Sequence, residues 1–164
     1  MTPAELLDLL RAFHREKLAM RERHVVVARY VTDYDFNNTY QYIIAREDVQ
    51  LSWLEAAIAE LDGTPDKVPE PALPPRGKKD SFQPLIEEDA RDAGAFVERW
   101  RDRVAGVTHA RHRGMMNVIL GETLEQRRFF DQMLAGREDV LGRRANGPRV
   151  RGTGDGVLPV RWLE

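Results

Sequence analysis

A chain of 164 residues, 42% hydrophobic and 32% charged, is long enough for one domain with a substantial core and has the make-up of a soluble, helix-rich globule. A net charge of -2 and a pI near 6.1 give no field that would draw it to nucleic acid or to an anionic membrane, and no apolar run approaches the ~20 residues of a membrane span. The absence of cysteine excludes disulfides, thiolate metal sites and cysteine nucleophiles.

Thr2-Pro3-Ala4-Glu5 is a helix start, with Thr as N-cap, Pro in the first turn and Glu at the third position. Its early acidic residues and lack of a basic stretch argue against a signal peptide, so a cytoplasmic protein is the expectation. The helical pattern predicts a first helix over 3–31. Asp33 or Asp35 can cap a second helix over 34–61, which stops at Asp62-Gly63. Residues 64–84, "TPDKVPEPALPPRGKKDSFQP", carry six prolines and cannot be helical. A third helix fits 85–104, Ala105-Gly106-Val107 breaks it, and Thr108 can cap a fourth helix over 108–135. The bundle is expected to occupy 1–137, with a crossover at 62–84 and an irregular Gly/Arg-rich tail at 138–164. In the tail, Val157 to Leu163 are apolar enough to dock on the bundle's flank or on a second subunit.

Short, long, short connections make two helical hairpins joined by a long crossover that is able to run the length of a bundle. The hairpins look like two copies of one unit. At an offset of 75, "IIAREDVQLSWLEAAIAEL" (43–61) lies over "VILGETLEQRRFFDQMLAG" (118–136). Ile44 then meets Ile119, Glu47 meets Glu122, Gln50 meets Glu125, Leu54 meets Phe129, and the caps Asp33 and Thr108 coincide. Glu47 sits on the apolar stripe of the second helix, where a carboxylate is costly without a partner. A pseudo-two-fold would bring Glu47 and Glu122 face to face, and that pair needs something positive between them.

In helix order, crossover and central glutamates, residues 3–135 resemble the ferritin-like superfamily, which includes rubrerythrin-like and other di-iron carboxylate proteins. The resemblance implies an all-α four-helix bundle with a Glu on the first and third helices and Glu-x-x-His on the second and fourth. The matching segments are Glu47-Asp48-Val49-Gln50 and Glu122-Thr123-Leu124-Glu125. Gln50 and Glu125 stand where histidines are expected, and the inward face of the first helix shows no glutamate. Antiparallel geometry sets residue 17 opposite Glu47 and residue 90 opposite Glu122, which makes His14, Glu16, Lys17 and Met20, and on the other side Asp89, the candidate neighbours.

Two readings follow for the pair. In one, Glu47, Glu122, Glu125 and Asp89, with His14 or His24 and Gln50 nearby, hold iron, manganese or zinc. Iron would imply oxidoreductase chemistry. In the other, Lys17, His24 or Arg21 pairs with Glu47 in a metal-free ionic core. The protein is then a binding or scaffold bundle, without enzymatic activity. A homodimer is expected from Trp53 and Trp100, which lie off the inner stripe; partial burial under the crossover would explain them equally. His109 and His112, flanked by Arg111 and Arg113, read as a solvated pair, Met115 and Met116 as core filler, and Tyr34, Tyr40 and Tyr42 as packing residues. The run 87–92, "EEDARD", reads as a solvated face. No serine-type triad or phosphate-cradling loop is present, and four histidines near helix ends do not favour a DinB-like hydrolase with a histidine triad. No substrate is named by these residues.

Overall fold

The computed structural model describes residues 1–77 and 79–142. The expectations for Val157 to Leu163 and for the arginines of the tail beyond residue 142 lie outside the described residues. The chain forms four long helices: α1 (Pro3–Ala28), α2 (Tyr34–Ala59), α3 (Gln83–Ala105) and α4 (Ala110–Leu134). There is no strand among the described residues.

Local chemistry explains the starts. The Thr2 hydroxyl accepts from the Glu5 amide at 3.2 Å, and the Glu5 carboxylate accepts from the Thr2 amide at 2.6 Å, a complete capping box. Asp33 caps α2 through the Phe36 amide at 2.9 Å. Three expectations shift. α1 stops at Ala28 rather than at 31, and α3 begins at Gln83, with Pro84 in its first turn. The cap of α4 is His109, whose side chain accepts from the His112 amide, and not Thr108.

Contacts between helices fix the packing. His14 lies by Glu55, Lys17 by Glu47 and Arg21 by Asp48, so α1 and α2 are antiparallel. Arg23 meets Asp89 and Glu16 meets Arg99, so α3 also runs antiparallel to α1. Glu60 meets Arg111 while Tyr42 packs on Phe129, so α4 runs antiparallel to α2. Since α2 and α3 thus point the same way, residues 60–82 link the foot of α2 to the head of α3. Described residues of that segment touch the bundle at several points. Arg11 donates to the Thr64 carbonyl at 2.9 Å, Arg15 pairs with Asp66 at 2.9 Å, Leu73 packs on the upper core, and Phe82 meets Phe36. It leaves α2 through Asp62, in the left-handed region at φ 56, and Gly63, where a Cβ would run into Leu7.

The core has two apolar ends. The lower one gathers Leu10, Phe13, Leu54, Ile58, Phe96, Trp100, Val104, Met116 and Ile119. The upper one gathers Val27, Ile43, Ile44, Leu85, Ile86, Phe130 and Met133. Trp100 is fully buried against Phe13 and Phe96, a core residue of α3 that is not free to form a subunit interface. Trp53 is about one-third exposed, on the outer side of α2.

Candidate functional site

Polar side chains, fully buried, lie between and within these apolar ends. On α1, Lys17 and His24 are seven residues apart, two turns along one face, so both point where Leu10 and Phe13 point. Lys17 Nζ lies 3.3 Å from Glu47 Oε2 and 3.4 Å from Thr123 Oγ1. The Thr123 hydroxyl spends its proton on the Ile119 carbonyl at 2.8 Å, which leaves its oxygen free to accept from Lys17. The other Glu47 oxygen, Oε1, is 2.5 Å from His24 Nδ1. Glu47 therefore has two cationic neighbours, both from α1, and the ammonium also lies 5.6 Å from the Phe96 ring centre.

The chain of charges continues. His24 Nε2 is 3.8 Å from Asp89 Oδ1, so the imidazole lies between two carboxylates. Asp89 Oδ1 accepts from Arg23 Nε at 2.7 Å, and Oδ2 accepts from the Tyr40 hydroxyl at 2.5 Å. Arg23 reaches outward to Glu88 at 3.0 Å. Asp89 has no solvent exposure, so the run 87–92 is not wholly a solvated face, and Tyr40 is more than packing. Lys17, Glu47, His24, Asp89 and Arg23 alternate in sign, which is the arrangement that makes burial of charge tolerable.

Electrostatics follow from this order. Burial opposes a charged His24, and so does Lys17, but the charge and hydrogen bond of Glu47 and the charge of Asp89 outweigh them and hold the imidazole above the usual histidine value. Burial would raise Glu47, yet His24 and Lys17 together hold it below the usual carboxylate range. Burial, with Asp89 beside it, pushes the Tyr40 hydroxyl far up, so it remains a donor. Stability linked to Glu47 is present above its unfolded value near 4.5 and is lost as pH falls through the lower folded value. Stability linked to His24 is complete below its unfolded value near 6.5 and is lost as pH rises through the higher folded value. Thermal unfolding followed by circular dichroism is expected to give the highest Tm between these two limits. A His24→Asn variant is expected to lose the alkaline fall; an unchanged alkaline limb in that variant would refute the assignment.

The remaining expected site residues are dispersed. Glu122 does not face Glu47 across the core. It stands at the α2/α4 rim, its side chain 29% exposed, bound by Arg46 Nη2 at 2.5 Å and by Gln50 Nε2. Glu125 pairs with Arg128 at 2.6 Å on the outside. His14 is buried but turns to Glu55 at 3.2 Å, away from Glu47. Of the expected donors, Glu47 and Asp89 are linked, through His24. Among the described residues no group of three or more His, Asp or Glu side chains is arranged to hold a metal ion. The residues do not fit a di-metal centre, because the Lys17 ammonium lies among the inward polar groups and would repel a divalent cation.

The reason is a shift of one residue. The caps Asp33 and His109 differ by 76, as do the inward pairs Ile43 and Ile119, Glu47 and Thr123, Gln50 and Gln126, and Leu54 and Phe130. The expected offset of 75 is thus one short, and Thr123, not Glu122, is the structural counterpart of Glu47. Sequence reasoning missed Thr123, Gln126, Arg23 and the Tyr40 hydroxyl as members of the polar interior. The burial of His112 against Glu60 corrects the solvated-pair expectation for that residue, whereas His109, its ring 4.2 Å away, is exposed as expected.

Compared with protein-family models, with curated proteins and with solved structures, the chain matches none.

Proposed function

We propose that this protein is a metal-free bundle of ferritin-like architecture, closed at its centre by an ionic network, and that it acts as a binding or scaffold protein without enzymatic activity. The observation that carries the reading is Lys17, fully buried with Nζ 3.3 Å from Glu47, at the height where ferritin-like bundles place inward carboxylates and histidines. The long connection from the foot of α2 to the head of α3 supports the architecture. The spacing-three pairs of that architecture correspond to Glu47 with Gln50 and Thr123 with Gln126, a set with one carboxylate. Val49, Trp53 and Val118 leave apolar surface on the outer side of α2 and α4, which supports a partner there, with a second copy of the chain the first candidate.

Elemental analysis of protein purified without chelators tests the reading. Iron, manganese and zinc are expected well below one per chain, and sedimentation velocity is expected to give a dimer. A stoichiometric metal that disappears in the Glu47→Ala variant would overturn the metal-free reading in favour of the metal site.

A further inference from the structure

Three amide atoms at the α2/α4 boundary have no hydrogen-bond partner in the protein: Oε1 of Gln50 and both Oε1 and Nε2 of Gln126. Both side chains are buried. Buried polar atoms in folded proteins are almost always paired, with protein or with ordered water. Gln126 lines a cavity of about 30 Å³ between the two helices, together with Tyr42, Arg46, Glu122 and Glu125 on its polar side and Ile43 and Phe129 on its apolar side. One water needs about 10–15 Å³ measured in this way, so the space suits two.

The lining selects the guest. Glu122 and Glu125 oppose an anion. Arg46 opposes a cation, and both Glu122 oxygens are engaged, by Arg46 and by Gln50, while Arg128 holds Oε1 of Glu125. What remains is a small neutral molecule that both donates and accepts, since Gln126 offers an N–H group and a carbonyl oxygen. We propose that this cavity is a structural water site, in which ordered waters bridge the Gln126 amide to the Arg46–Glu122 pair at the rim. The site is independent of the ionic network and of the function proposed above.

Solution NMR on the full chain tests it. The side-chain amide protons of Gln126 are expected to show cross-peaks to water with the sign given by bound rather than bulk solvent. Absence of the cross-peaks in the wild-type protein would overturn the proposal, and this result does not depend on any variant folding. Addition of ammonium chloride is expected to leave the Gln126 amide shifts in place; saturable shifts would overturn it in favour of a cation site.

Discussion

Glu47→Ala is expected to destabilise the fold by about 3–5 kcal/mol, because it leaves Lys17 and His24 buried without their shared counter-charge. For a chain of this size that is a fall in Tm of about 6–20 °C. The loss measures an uncompensated charge more than the worth of the pair, and a second variant separates the two. In the double variant Lys17→Met with Glu47→Gln the ammonium is removed together with its counter-charge, and the amide still reaches His24, which keeps Asp89 beside it. It is expected to be markedly more stable than Glu47→Ala alone. Urea denaturation at neutral pH gives both values. A Glu47→Ala protein within about 1 kcal/mol of wild type would mean that water reaches the pair, and the dry ionic centre would have to be abandoned.

Trp100→Ala is expected to cost a similar amount, about 3–5 kcal/mol, by a different mechanism. The ring is fully buried, edge-on to Phe13 at 4.9 Å between centroids and 6.3 Å from Phe96, with the Arg103 guanidinium 3.8 Å from its centre. Its indole nitrogen has no hydrogen-bond partner in the protein. Trp100→Phe therefore loses volume but no hydrogen bond, and most of the stability is expected to remain. Should Trp100→Ala unfold at the wild-type urea midpoint, the lower core would not be packed as described.

The four helices and their antiparallel order were legible because apolar spacing and strong caps agreed. Thr2 and Asp33 are good acceptors just ahead of periodic segments. The approach of Lys17 to Glu47 was legible too, since it needs only the turn position and equal steps along two helices. The register of the second hairpin was not. Thr108 is the better cap by propensity, and Glu122 matched Glu47 by residue type, so both pointed to the same wrong offset. Burial decided otherwise: the inward position went to Thr123, whose single hydroxyl accepts from Lys17, while Glu122 found arginine at the rim. Turn geometry singled out Asp89 within the acidic run 87–92, but as a neighbour of Glu122; its partners Arg23 and Tyr40 come from α1 and α2 and needed the tertiary structure.

The placement of Lys17 between two greasy ends also bears on how the helices are staggered. Leucine and isoleucine side chains tolerate sliding, since one apolar contact replaces another. Lys17 does not. A one-turn slip of α1 along α2, about 5.4 Å, would take its ammonium off Glu47 and set it beside Ile43 or Leu51. Lys17, the one buried lysine among the described residues, thus works as a detent, and a bundle with methionine there is expected to hold its shape less uniquely even where it holds it more firmly.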